Sequence, residues 1–223
     1  MLIDSIYIIG SSGHAKVIID LIEEQKKYNI KGIIDDFKNV GENFLGYEIL
    51  GGVDYFKKKR DVVEEKINVI IAIGESKYRE IIVNKLKNIE KIKYPVMIHQ
   101  SAIVSKRAII SDGTIILANS IVGANANIGE HCILNHACCV DHDTVLHSYT
   151  TICPNVFIAG NVIVGKGSMI GIGTNIIEKI NIGTKTYIGA GSCVIKDTVG
   201  NSLYFGNPAV LIKSISDKDT FFS

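Results

Sequence analysis

Residues 103–198, cut into sixes from Ile103, read IVSKRA, IISDGT, IILANS, IVGANA, NIGEHC, ILNHAC, CVDHDT, VLHSYT, TICPNV, FIAGNV, IVGKGS, MIGIGT, NIIEKI, NIGTKT, YIGAGS and CVIKDT. The second residue is aliphatic in all sixteen sextets, from Val104 and Ile110 to Ile188 and Val194. The sixth is Ala, Ser, Thr, Cys or Val everywhere except at Ile180. Gly follows the aliphatic residue in six of them. A fixed short period is the mark of a solenoid, and six residues is the period of a β-helix. Each sextet is then a short strand and a turn, with the aliphatic side chain inward and the small residue filling a corner. Glycines such as Gly123, Gly129 and Gly165 are expected at turn positions that need φ > 0.

The pattern resembles the hexapeptide-repeat family, [LIV]-G-x-x-[STA]-x. That resemblance implies a left-handed parallel β-helix, triangular in section, with three sextets per coil. It also implies a homotrimer whose active sites lie in grooves between subunits.

Outward from the repeat, Pro95 interrupts the chain just before MIHQSAIV, and the domain boundary is placed there. Residues 5–10, SIYIIG, are a buried strand, followed by a helix over 14–27 with apolar spacing from Ala15 to Ile22. A second strand covers 32–36, and a short apolar segment runs from Leu45 to Leu50. A helix follows near Val53–Arg60, then a strand over 68–74 and a helix over 77–88. Alternating strands and helices predict a small parallel α/β sheet. The expected order is a Rossmann-like domain over 1–95, the β-helix over 96–200 and a C-terminal tail over 201–223.

Of 223 residues, 47% are apolar and 21% charged, and the net charge is +1. Such a balance favours neither nucleic acid nor an anionic membrane. No apolar run approaches the roughly 18 residues of a membrane span. The start, MLIDSIYIIG, lacks the pattern of a signal peptide. Five cysteines form no metal spacing. Cys132 and Cys138 fill sixth positions, as reduced, space-filling thiols would, and a cytoplasmic protein is expected. The charge run from Lys57 to Arg60 reads as a solvated helix end.

Two stretches carry chemistry. Gly10-Ser11-Ser12-Gly13-His14 follows a strand and opens a helix, a geometry that suits phosphate. It is an imperfect dinucleotide fingerprint, because Ser12 stands where glycine is required. Asp35 and Asp36 end the next strand, where a ribose-binding acid would sit. In the sextet Cys139-Val-Asp-His-Asp-Thr144, His142 points outward between two carboxylates, the usual surroundings of a general base. Asp143 or Asp141 could orient it.

GSSGHAKVIIDLI, IIDDF, IAIGESKYR and MIHQSAIV, in that order, resemble the PglD/NeuD-like sugar acyltransferases from about residue 5 to residue 213. The resemblance implies nucleotide-sugar contacts from Ser12, Gly13, His14, Asp35, Asp36 and Gly74. It implies His142 as general base and Asp143 as the group that raises its basicity. It implies acetyl-CoA contacts at Ile172 and Ala190, with Ala159 and Gly160 near the thioester. Thr151 stands where many relatives carry a second histidine at the acyl group. The expected function is therefore N-acetylation of a nucleotide-linked 4-amino-4,6-dideoxy sugar by direct transfer in a ternary complex. UDP or dTDP is the expected nucleotide, with GDP-perosamine as an alternative. No metal is expected.

Other readings compete. A sialic acid O-acetyltransferase shares this architecture. A γ-carbonic-anhydrase-like enzyme needs a third histidine beside the pairs His131/His136 and His142/His147, and none stacks where it is required. A non-catalytic sugar-binding trimer leaves the acid-His-acid motif without use. An NAD-dependent oxidoreductase leaves the β-helix without a role.

Overall fold

The computed structural model describes residues 4–59, 66–216 and 219. Arg60, at the end of the expected charge run and helix, lies outside the described residues. So does most of the polar stretch after 216. The chain divides into two compact units, one of Met1–Gly74 with Tyr78–Pro95, the other of Glu75–Lys77 with Val96–Ser223.

The first unit runs β1 (Asp4–Ile9), α1 (Gly13–Gln25), β2 (Tyr28–Ile34), β3 (Asn43–Phe44), β4 (Tyr47–Gly51), α2 (Tyr55–Lys59), β5 (Ile67–Ile71), α3 (Ser76–Leu86) and β6 (Ile92–Lys93). The sheet order is β3-β4-β2-β1-β5-β6, parallel except for the β3–β4 hairpin. The apolar runs of β1 and β5 are buried because helices cover a parallel sheet on its faces. Helix α1 turns Ala15, Ile18, Ile19, Leu21 and Ile22 inward. It ends at Lys26, whose backbone is left-handed and whose N–H donates to the Ile22 carbonyl. From β1 the chain moves first to one side, through β2 and β4, and then to the other, through β5 and β6. This reversal leaves a crevice at the C-terminal end of β1, where such sheets bind ligands.

The second unit is the left-handed β-helix. Residues eighteen apart pair in parallel, as Cys139↔Phe157 and Val145↔Ile163 do. The strands form three faces. Face one begins at Met97–Ile98, a sextet before the cut at Ile103, and passes through Thr151–Ile152 to Tyr187–Ile188. Face two runs from Ile103–Val104 through Cys139–Val140 to Cys193–Val194, and face three from Ile109–Ile110 to Asn181–Ile182. Second-position side chains from Ile116 to Val194 stack as one buried column. Leu146→Ala is expected to lower unfolding free energy by about 2–5 kcal/mol, measured by denaturant titration.

The sixth position is small and often hydroxylic for a second reason. Thr114, Ser120, Thr144, Ser168 and Thr174 are buried, and each donates to a carbonyl fifteen residues ahead. A buried backbone acceptor is thereby satisfied at each corner.

The turn falls at the fifth position, not the third. Every fifth residue from Gly113 to Gly191, fourteen in succession, has φ between 50° and 71°. Asn and Gly hold eight of these places, as left-handed backbone favours. The expectation for Gly123, Gly129 and Gly165 is corrected accordingly. They are absent from the positive-φ set, and a Cβ on each would come within 2.5–2.6 Å of a backbone nitrogen in the next coil. Close approach, rather than left-handed φ, excludes a side chain there.

The stretch expected as a tail over 201–223 is in part regular. Ser202–Gly206 pairs parallel to Tyr187–Ile188 and extends face one by a rung. Ala209–Ser214 then folds back antiparallel upon it. The run SLYFG has the strand character that the six-residue cut passes over.

Candidate functional site

The coil builds a site at the corner where face two turns toward face three. His142 and Gly160 occupy fourth positions in consecutive coils. The carbonyl of His142 accepts the N–H of Asn161, and that of Gly160 accepts the N–H of Lys179. These ladder bonds stack Ala124, His142, Gly160 and Glu178 in one column. The imidazole lies over Gly160: a Cβ there would meet its Cε1 and Nε2 at 2.5 Å. Asp141, His142, Phe157, Gly160, Ile177 and Glu178 are among the walls of a groove of about 460 Å³.

The two carboxylates have separate duties. Asp143 Oδ2 meets His142 Nδ1 at 2.8 Å. Asp141 Oδ1 instead accepts the backbone N–H of His142 at 2.7 Å. Asp143 is thus the side-chain partner, while Asp141 fixes the turn and adds charge. The hydrogen bond to Asp143, followed by the charge of Asp141, raises the His142 pKa above its ordinary value. The same bond, with one from Asn125, lowers that of Asp143. A proton held at Nδ1 by a carboxylate leaves Nε2 as the free basic atom.

The ladder also leaves donors over. First-, third- and fifth-position N–H groups pair with neighbouring coils, as those of Cys139, Asp141 and Asp143 do. Among the described residues, the fourth-position N–H groups of Gly160, Ile172, Glu178 and Ala190 have no acceptor in the chain. Ile172 and Ala190 stack at the corner after face one, where the N–H of Gly191 bonds the Ile172 carbonyl at 2.7 Å. Ala159 adjoins Gly160, and its carbonyl accepts the Thr144 hydroxyl. Thr151 is not brought to His142 within the chain. It is a first-position residue of face one, between Ile133 and Met169, and only 2% exposed.

The first unit has its own cavity, of about 490 Å³, in the crevice beyond β1. Ser12, Asp35 and Asp36 wall it; Gly13, His14 and Gly74 do not. Gly13 faces open space at the start of α1, and the Gly74 carbonyl is taken by the Arg79 guanidinium. The carboxylates are partly engaged. Asp35 accepts the Ser11 hydroxyl at 2.6 Å and the Phe37 N–H at 2.9 Å. Asp36 accepts the Val53 N–H and pairs with Lys85 at 3.4 Å. Phe37, 95% exposed, Tyr78 and Ile81 add apolar surface suited to a flat ring. Sequence reasoning passed over Tyr78, Ile81 and Lys85, because nothing local marks a residue of α3 as part of this crevice, and it gave Phe37, next to Asp36, no role. It also passed over Asn125 and Glu178, which the eighteen-residue stacking could have found.

Among the described residues, no group of three His, Cys, Asp or Glu could hold a metal ion. Nor is any described helix long and apolar enough to cross a membrane.

The repeat, the corner histidine and the α/β unit define a hexapeptide-repeat acyltransferase of the left-handed β-helix class. More narrowly, residues 5–86 match the PglD N-terminal domain family, and over nearly its whole length the chain is similar to solved sugar acetyltransferases. PerB from Caulobacter crescentus, solved with CoA and GDP-perosamine, is 28% identical with a TM-score of 0.87. The match covers 95% of this chain and 99% of that one. The acetyltransferase domain of PglB from Neisseria gonorrhoeae, solved with acetyl coenzyme A, is 27% identical with a TM-score of 0.84, over 93% and 98% of the two chains. WeeI from Acinetobacter baumannii shares the fold at 24% identity and a TM-score of 0.82, over 93% and 99%. No curated protein matches the chain by sequence.

Proposed function

We propose that this protein transfers an acetyl group from acetyl-CoA to the amino group of a nucleotide-linked 4-amino-4,6-dideoxy sugar. The observation that carries this reading is the His142–Asp143 bond of 2.8 Å beside a groove whose floor is Gly160. The relatives solved with CoA and GDP-perosamine support the substrate classes. The crevice of the first unit suits the nucleotide, with apolar walls for the base and the start of α1 for phosphate. Five free thiols support a reducing compartment, and we assign the protein to the cytoplasm.

Bound acetyl-CoA supplies the thioester carbonyl. His142 Nε2 accepts the proton of the acceptor amine as the N–C bond forms. The Gly160 N–H donates to the carbonyl oxygen as it gains negative charge. The proton then passes from His142 to sulfur as the C–S bond breaks, so no covalent enzyme intermediate is required. Ile172 and Ala190 offer unpaired N–H groups to a pantetheine arm. In a homotrimer, their corner on one subunit would face the His142 corner of another.

The test is thermal unfolding with coenzyme A, GDP, UDP, dTDP, CMP and NAD in turn. A ligand at a hundred times its Kd stabilises by about 2.7 kcal/mol. Coenzyme A and one nucleoside diphosphate are expected to raise Tm. A response to CMP alone would move the acceptor to a sialic acid, and no response to coenzyme A would overturn the transferase reading.

A further inference from the structure

We infer that Asn125 is a positioning residue for His142. Its side-chain amide holds Asp143 so that one carboxylate oxygen faces the imidazole. This rests on the acetyl-transfer reading above and deepens it. Asn125 lies one coil before Asp143, and both occupy the left-handed fifth position, with φ 59° and 56°. Asn125 Nδ2 donates to Asp143 Oδ1 at 3.2 Å, and Asp143 Oδ2 meets His142 Nδ1 at 2.8 Å. Each carboxylate oxygen thus has its own partner, one on either side.

Burial does not fix this carboxylate, because the Asp143 side chain is 46% exposed. A short exposed side chain turns about two bonds unless hydrogen bonds select one setting. The bond to His142 alone cannot serve, since the imidazole is itself 52% exposed and free to follow. Asn125 ties the pair to the rigid coil. A neutral amide does so without adding a cation that would compete with the imidazolium. The other charged groups acting on His142, Asp141 and Glu178, are both acidic.

Asparagine also suits a left-handed turn for backbone reasons alone, so the test must separate the two. Asn161 provides the control. It holds the same turn one coil later, with φ 59°, and makes no side-chain bond to Asp143 among the described residues. The experiment compares kcat, its pH profile and Tm for full-length Asn125→Ala, Asn125→Asp, Asn161→Ala and His142→Ala, with acetyl-CoA and a nucleotide-linked 4-amino sugar.

Asn125→Ala is expected to lower kcat about tenfold, the scale of one hydrogen bond to a charged group. It should also move the acidic limb of the profile to lower pH, because His142 loses an aligned carboxylate. Asn125→Asp should be at least as damaging, since two carboxylates then face each other. Asn161→Ala should lower Tm as Asn125→Ala does, with kcat and the acidic limb unchanged. If Asn125→Ala follows Asn161→Ala in every readout while His142→Ala is inactive, the role of Asn125 is rejected and the transfer reading stands. Normal turnover in His142→Ala would reject that reading, and this one with it.

Discussion

Replacing His142 with alanine is expected to lower kcat by roughly 10²–10⁴, the usual worth of a positioned general base. The fold should be unaffected, because the side chain is half exposed and the backbone bonds of the turn remain. Steady-state kinetics with a nucleotide-linked amino sugar measures the loss, and an unchanged Tm separates it from unfolding. The native profile gives a second check. As the proposed base, His142 would act only when neutral, so turnover is expected to fall as pH drops through its pKa. Asp143 and Asp141 raise that pKa, which puts the acidic limb above the ordinary histidine value of about 6.5. Asp143→Asn removes the first of these causes and should move the limb downward. A His142→Ala enzyme with near-native kcat would leave the acid-His-acid corner without a catalytic role.

Gly160→Ala should reduce kcat by roughly 10²-fold, although it adds a single methyl group. Its Cβ would lie 2.5 Å from both Cε1 and Nε2 of the His142 ring, inside any allowed contact. The ring is on the open side of the groove and can lift away, so the coil survives. An imidazole displaced by about an ångström no longer meets the acceptor amine, and misplacement on that scale costs about two orders of magnitude. The Gly160 N–H is retained in this variant, so the loss isolates the histidine from the oxyanion donor. Coenzyme A should still raise Tm. If Gly160→Ala turns over normally, the ring does not work from its place over Gly160.

Much of this was readable before any coordinates. The run of aliphatic second positions fixes period, strand and core together, because one burial rule repeats without interruption. The same period places Gly160 under His142 and Ile172 above Ala190. It did not reveal which position of the sextet bends. Gly, Asn, Asp, His, Tyr and Lys all occur at the fifth place, and their shared feature is backbone conformation rather than chemistry. Glycine at the third place gave the misleading cue. The first unit was legible as elements but less so as a site. Asp35 and Asp36 are marked by the end of β2, whereas Tyr78, Ile81 and Lys85 reach the crevice only through the packing of α3. Their helical spacing reads as an ordinary amphipathic face. Whether Asp141 or Asp143 holds the imidazole was also open, because strand alternation says little at a corner.

The eighteen-residue coil sets a rule for how such a chain can change length. A whole coil inserted or removed between His142 and the C-terminus leaves every later residue at its own corner. A single sextet does not. Deleting residues 163–168 would carry Ile172 and Ala190 from the corner after face one to the corner after face three, with every strand still paired and the core still filled. The strands would pair as before, yet the unpaired N–H groups of Ile172 and Ala190 would sit at a different corner of the triangle. Length variation that this architecture tolerates without losing its groove is therefore quantised in eighteens, while stability alone would accept sixes.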